Sequence, residues 1–141
     1  MSPVYETPED REKERAALEL FSAAFGVECV RNGRFAHFDA GIWLRSRLVG
    51  AAEVKARGRL YPDHLILSCT KWYAAAELWN KHGEQFRTVV IVATDEGVWY
   101  AHIAPRMQYR LEWRGRRDRP GDSKGVEPCI LIPREDFARV S

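Results

Sequence analysis

Cysteine is scarce in this chain, and the three residues present, Cys29, Cys69 and Cys129, are isolated and odd in number. There is no C-x-x-C pair and no histidine at zinc spacing from them, which excludes a disulfide framework and leaves three reduced, structural thiols. The histidines His37, His64, His82 and His102 lack ligand spacing too, which excludes a histidine-based zinc site. No apolar run approaches the length that crosses a bilayer. The opening MSPVYETPEDREKER is too polar for a signal peptide, so the expectation is an intracellular, cytoplasmic protein with no membrane partner. A dominant charge sign is also missing: a formal net charge of +2 does not by itself argue for a nucleic-acid partner, although local clusters can. No repeat, low-complexity tract or interdomain linker interrupts the chain.

What remains is an ordinary globular composition. The 141 residues, 45% hydrophobic and 30% charged, suffice for one domain, 1–141, with a real core. Thr7, Pro8, Glu9 and Asp10 form a strong helix start: a capping hydroxyl, proline at the first helical position, and acids at the positive end of the dipole. Ala17, Leu18, Phe21, Ala24 and Phe25 then recur at helical spacing, and Gly26 supplies the stop. Residues 27–30 read as a short strand ended by the turn dipeptide Asn32-Gly33. A second helix is predicted over about 70–82, with Trp72, Ala75, Ala76 and Trp79 on one side, Gly83 at its end and Lys71 in its first turn. A lysine there opposes the helix dipole, which hints at another use for its charge, a solvated lysine being the plain alternative. Residues 86–94 (FRTVVIVAT) are continuously apolar and β-branched, as befits a central strand covered on both faces, and 98–103 return as its hairpin partner. A strand within 107–113, an arginine-dense loop and a last strand around 129–132 complete the chain. The order gives an α/β sandwich with a mixed sheet, the second helix crossing over one face.

The stretch from Phe35 to Arg57, FAHFDAGIWLRSRLVGAAEVKAR, carries the chemistry. It reads as two strands joined at Arg45-Ser46-Arg47. If Leu44 faces Leu48 across a three-residue loop, Asp39 falls opposite Glu53 and Lys55 opposite His37. A bulge would slip this register by one residue. Alternation puts Glu53 and Lys55 on one face, so two carboxylates and an ammonium converge. Glu53 and Lys55 interrupt an otherwise small, apolar strand, and Asp39 lies between Phe38 and Ala40, positions where a charge is costly unless paired or bound to an ion. A salt bridge protecting a strand edge is the plain alternative for a lone Glu-x-Lys. The full set suits metal-assisted phosphodiester hydrolysis. Asp39, Glu53 and the Val54 carbonyl would offer hard oxygens to a divalent cation, and Lys55 would orient or help deprotonate water. His37 either shares the face of Asp39 or faces solvent.

These residues resemble the PD-(D/E)XK nuclease superfamily: an acidic first helix, Asp39 in FDAG, Glu53-Val54-Lys55 in AAEVKAR, then a helix carrying Lys71 and a hydrophobic strand. The layout is most similar to archaeal Holliday-junction resolvases and small phage or prophage nucleases. The resemblance covers roughly residues 10–103. It implies a restriction-endonuclease-like αβββαβ core at about 8–103 with a C-terminal extension, 104–141. It also implies magnesium or manganese dependence and cleavage of nucleic acid, with DNA the expected substrate. Carried over, Asp39 and Glu53 become metal ligands and Lys55 the catalytic lysine. Glu14 becomes an auxiliary acid, with Glu19 as the fallback, and Lys71 a contact to the scissile phosphate. Phe38 replaces the proline expected before the aspartate, and the basic arm of junction resolvases is missing. Arg57, Arg59 and the cluster holding Arg114, Arg116 and Arg117 either grip a phosphate backbone or line a solvated loop. Two-fold pairing into a homodimer would double the surface offered to a duplex. The alternative is a nuclease-like module that binds nucleic acid without cutting it.

Overall fold

The computed structural model describes residues 7–31, 37–60, 62–106, 108–114 and 126–140. Helix α1 (Pro8–Phe25) begins and ends where the sequence places it. The Thr7 side chain and the Asp10 side chain each accept the other's backbone N–H in a capping box, and Gly26 closes the helix in the left-handed conformation at φ 65°. Strands β1 (Glu28–Arg31), β2 (Ala40–Leu44) and β3 (Arg47–Ala56) follow as an antiparallel meander. After β4 (His64–Ser68), helix α2 (Cys69–His82) crosses over and delivers β5 (Arg87–Thr94) parallel to β3. Strand β6 (Gly97–His102) returns antiparallel to β5 across the Asp95-Glu96 turn. The main sheet is therefore mixed, in the order β1-β2-β3-β5-β6-β9, with the short strand β9 (Ala138–Arg139) on its outer edge. This is an α/β restriction-endonuclease-like arrangement. No helix among the described residues is long and apolar enough to cross a membrane.

Strand β5 is the centre because its sequence permits nothing else. Val89, Val90, Ile91 and Val92 are all essentially inaccessible to solvent, and each such side chain contributes roughly 1.5–3 kcal/mol on leaving water. Alternate residues feed two apolar layers. Ala52, Val54, Val89 and Ile91 pack against Ala17, Leu18 and Phe21 of α1. Ala51, Val90 and Val92 face the other way, toward Ala74 and Ala75 of α2.

The second layer also contains a sheet that sequence patterning did not foresee. Strands β4, β8 (Glu127–Pro133) and β7 (Arg110–Arg114) form a three-stranded antiparallel sheet in the order β4-β8-β7. β4 starts at His64, just past Gly58 and Pro62, two residues that break regular structure, and pairs with β8 along its whole length. Leu65, Leu67, Ile130 and Ile132 enter the same core as α2. After a 3₁₀ turn at Arg134–Asp136, the guanidinium groups of Arg134 and Arg139 stack on Trp99 at 4.5 and 5.5 Å, holding the end of the chain to β6.

The β2–β3 hairpin departs from expectation at its tip and agrees with it further in. The loop is two residues, Arg45 and Ser46, both at positive φ (54° and 58°), and Leu44 faces Arg47 rather than Leu48. A bulge between Ile42 and Trp43 then absorbs one residue, and the ladder runs on as Ile42↔Gly50, Gly41↔Ala51 and Ala40↔Ala52. A shorter turn and a bulge together restore the register that a three-residue loop would have given. Gly50 sits beside the irregularity, where a Cβ would meet the Arg87 carbonyl oxygen at 2.2 Å, so only glycine lets β3 approach β5 there.

Candidate active site

The ladder between β2 and β3 stops at Ala40↔Ala52, one step short of Asp39. Asp39 is therefore not a strand residue, and His37 lies outside the ladder in which it was expected to oppose Lys55. The Asp39 backbone N–H still reaches the Ala52 carbonyl at 3.0 Å, and its carboxylate takes the place of the missing strand, with Oδ2 accepting the Val54 N–H at 2.8 Å. In a strand the N–H and C=O of one residue point to the same edge. The Val54 carbonyl thus faces the edge where Asp39 sits, while residues of the other parity bond toward β5, as the Arg57 N–H does with the Ala93 carbonyl at 2.8 Å.

Glu53 and Lys55 alternate with Ala52 and Val54, so they project to the α2 side of the sheet. Glu53 is only 7% exposed, and its Oε1 is buried without a hydrogen-bond partner among the described residues. Burial first, and the Asp39 carboxylate second, push its pKa up to about 7, against the pull of Lys71 and Lys55. Burial holds the Lys55 ammonium below the ordinary lysine range, with Arg57 and Lys71 adding to the effect and Glu53 and Asp39 opposing it. Lys71, carried by the first turn of α2, places Nζ 3.3 Å from Glu53 Oε1 and donates a hydrogen bond to the His37 carbonyl. Asp39, Glu53, Lys55 and Lys71 thus act on one another in one place.

Other expected residues lie elsewhere. Glu14 is buried on the apolar side of α1, 3.5 Å from the Arg31 guanidinium, and so belongs to the opposite face of the sheet. Glu19 is exposed and paired with Arg15. Among the described residues, no group of three or more acids, histidines or cysteines gathers as a metal cluster, so neither glutamate of α1 completes a triad with Asp39 and Glu53. An open cleft of about 330 Å³ between α1 and β1, lined by Arg15, Ser22 and Cys29 among others, includes none of the α2-face residues. Arg57 donates to the Ala56 carbonyl at 2.7 Å and lies close enough to Lys55 to affect it. Arg59 is exposed. Arg114 is held by Glu112 at 3.0 Å on β7, while Arg116, Arg117 and the Asn32-Gly33 turn lie outside the described residues.

The donor chemistry fits a hard divalent cation. Two carboxylates and a backbone carbonyl are oxygen ligands of the kind magnesium and manganese take alongside water, and a buried carboxylate oxygen lacks a hydrogen bond. Sequence comparison bears on the same point: a family model described as "Phage putative PDDEXK endonuclease" matches residues 1–140. The chain belongs to this family. No curated protein and no solved structure matches it. A PDDEXK endonuclease is a nuclease of the hydrolase class.

Proposed function

We propose that this endonuclease hydrolyses phosphodiester bonds of DNA in the cytoplasm of the infected cell, and that it needs magnesium or manganese to do so. The observation that carries the reading is the Glu53 carboxylate, buried beside Asp39 with one oxygen lacking a hydrogen bond. Lys71 and Lys55 offset this only in part, and a divalent ion shared by the two carboxylates would relieve the rest. Asp39, Glu53 and the Val54 carbonyl would hold the ion, and when bound it supplies Lewis-acid polarisation of the phosphate and offsets developing negative charge.

The chain's own residues do the rest. Asp39 is fixed by the Val54 N–H, so one carboxylate is oriented before any ligand arrives. Lys55, depressed by burial, spends more of its time neutral than an exposed lysine and can take the proton of an attacking water at Nζ. The water oxygen bonds to phosphorus as the bond to the departing sugar oxygen breaks, and that oxygen leaves with a proton from solvent. Lys71 lies toward the surface, with 27% of its side chain exposed, where it can meet the phosphate. Arg57 and Arg59, just past the end of β3, would grip the neighbouring backbone, and Arg114, Arg116 and Arg117 would extend that grip. A homodimer would present two such sites to a duplex.

The test is plasmid DNA incubated with the protein and magnesium or manganese. Cleavage should cease with a chelator and fall by at least about 100-fold in Glu53→Ala and Lys55→Ala. Absence of metal-dependent cleavage of any DNA form, or cleavage unchanged in both variants, removes the reading.

A further inference from the structure

We propose that Lys71 is a built-in counter-cation of the site: it holds Glu53 in the free enzyme, competes with the divalent ion, and is drawn off by a phosphate of the nucleic acid. The inference rests on the metal-dependent reading above and adds an order of events to it. Lys71 sits in the first turn of α2, which carries no acidic residue there, so its charge opposes the helix dipole and is held for another reason. Its Nζ is 3.3 Å from Glu53 Oε1, a buried carboxylate oxygen that has no hydrogen bond among the described residues. The ammonium therefore acts on Glu53 mainly through its charge. Its directional bond goes to the His37 carbonyl, and the same ammonium lies 5.9 Å from the centre of the Phe38 ring.

That division of labour makes the ammonium easy to displace. An ion at the carboxylate pair and an ammonium at the same oxygen repel one another, so each must weaken the binding of the other. Lys71 is partly exposed while Glu53 is buried, so a phosphate approaching from solvent meets the lysine first. Once Lys71 turns to the phosphate, Glu53 keeps only Lys55 as a nearby counter-charge and has a higher affinity for the ion. Nucleic acid and metal then bind with positive coupling, and linkage requires the coupling to run both ways.

Manganese titrated calorimetrically into the DNA-free protein tests the competition. Lys71→Met should bind manganese about tenfold more tightly than the wild-type protein, the size expected from removing one charge-assisted contact. Lys71→Gln, which keeps a donor for the His37 carbonyl but loses the charge, should tighten binding equally. A merely structural lysine would leave affinity unchanged or weaken it, and either result in both variants overturns the proposal. Glu53→Gln separates this failure from that of the underlying reading: if it binds manganese as the wild type does, the metal site itself is misassigned. With Lys55→Ala added to stop turnover, a short DNA duplex should raise manganese affinity when Lys71 is present and not in Lys71→Met. Equal enhancement in both would show that phosphate does not act through Lys71.

Discussion

Glu14 and Glu53 are almost equally hidden, 8% and 7% exposed, yet they lie on opposite faces of one sheet and in different surroundings. Glu14 has an arginine at 3.5 Å and sits among the apolar residues of α1. Glu53 shares its surroundings with a second carboxylate, and one of its oxygens has no hydrogen bond. Burial of an acid therefore does not mark a site. What distinguishes Glu53 is a second carboxylate that raises its pKa against the pull of two lysines, and an oxygen whose bonding is incomplete.

The sharpest way to break this comparison is activity. Glu53→Gln should lose cleavage by a factor of about 10³ or more, while Glu14→Gln should stay within about tenfold of wild type in the same plasmid assay. Equal losses would mean that Glu14 reaches the reacting centre after all.

The next effect is on stability against pH in the metal-free protein. Glu53 titrates near 7 when folded and near the ordinary 4.5 when unfolded. Below that window both states hold the proton; within it the folded protein keeps a proton the unfolded chain has released, so stability falls as pH rises toward 7 and then levels off. Urea denaturation from pH 4 to 8 should show that decline, and Glu53→Gln should flatten it, with a gain of up to about 3 kcal/mol at pH 8. Added manganese should recover part of the same loss in the wild type. A variant that keeps the decline would assign it to another group.

Smaller still is Glu14→Ala, which removes the acid beside Arg31 and should cost about 1–2 kcal/mol in the same melts. Smallest is Glu19→Ala: the residue is exposed and held only by Arg15, so neither cleavage nor melting temperature should move measurably.

Which of these contrasts the sequence could announce depends on how local their causes are. The limits of α1 follow from Thr7, Pro8 and Gly26, residues that act within one turn. Asp39, Glu53 and Lys55 were legible because strand alternation and a short hairpin act over a dozen residues. The hairpin tip was misread for an instructive reason: a two-residue turn and a bulge have opposite effects on register, so an error at Arg47 left no trace at Asp39. The β4-β8-β7 sheet was not legible, because nothing near His64 names a partner at Pro133. The surroundings of Glu14, buried on α1 beside Arg31, were not legible because a resemblance does not say which face of the sheet the helix covers. For the Lys71–Glu53 contact there was one usable signal, a positive charge in the wrong turn of a helix.

The pairing of β4 with β8 has a consequence in time. The strand that leads directly into α2, and so sets where Lys71 begins, finds its neighbour more than sixty residues later. On a ribosome, the meander holding the two acids can form while the chain is still being made, but β4 and the helix behind it lack their support until residues 127–133 emerge. A nascent chain would thus carry its acids long before the lysine opposite them is anchored, and the site is complete only once β8 has emerged.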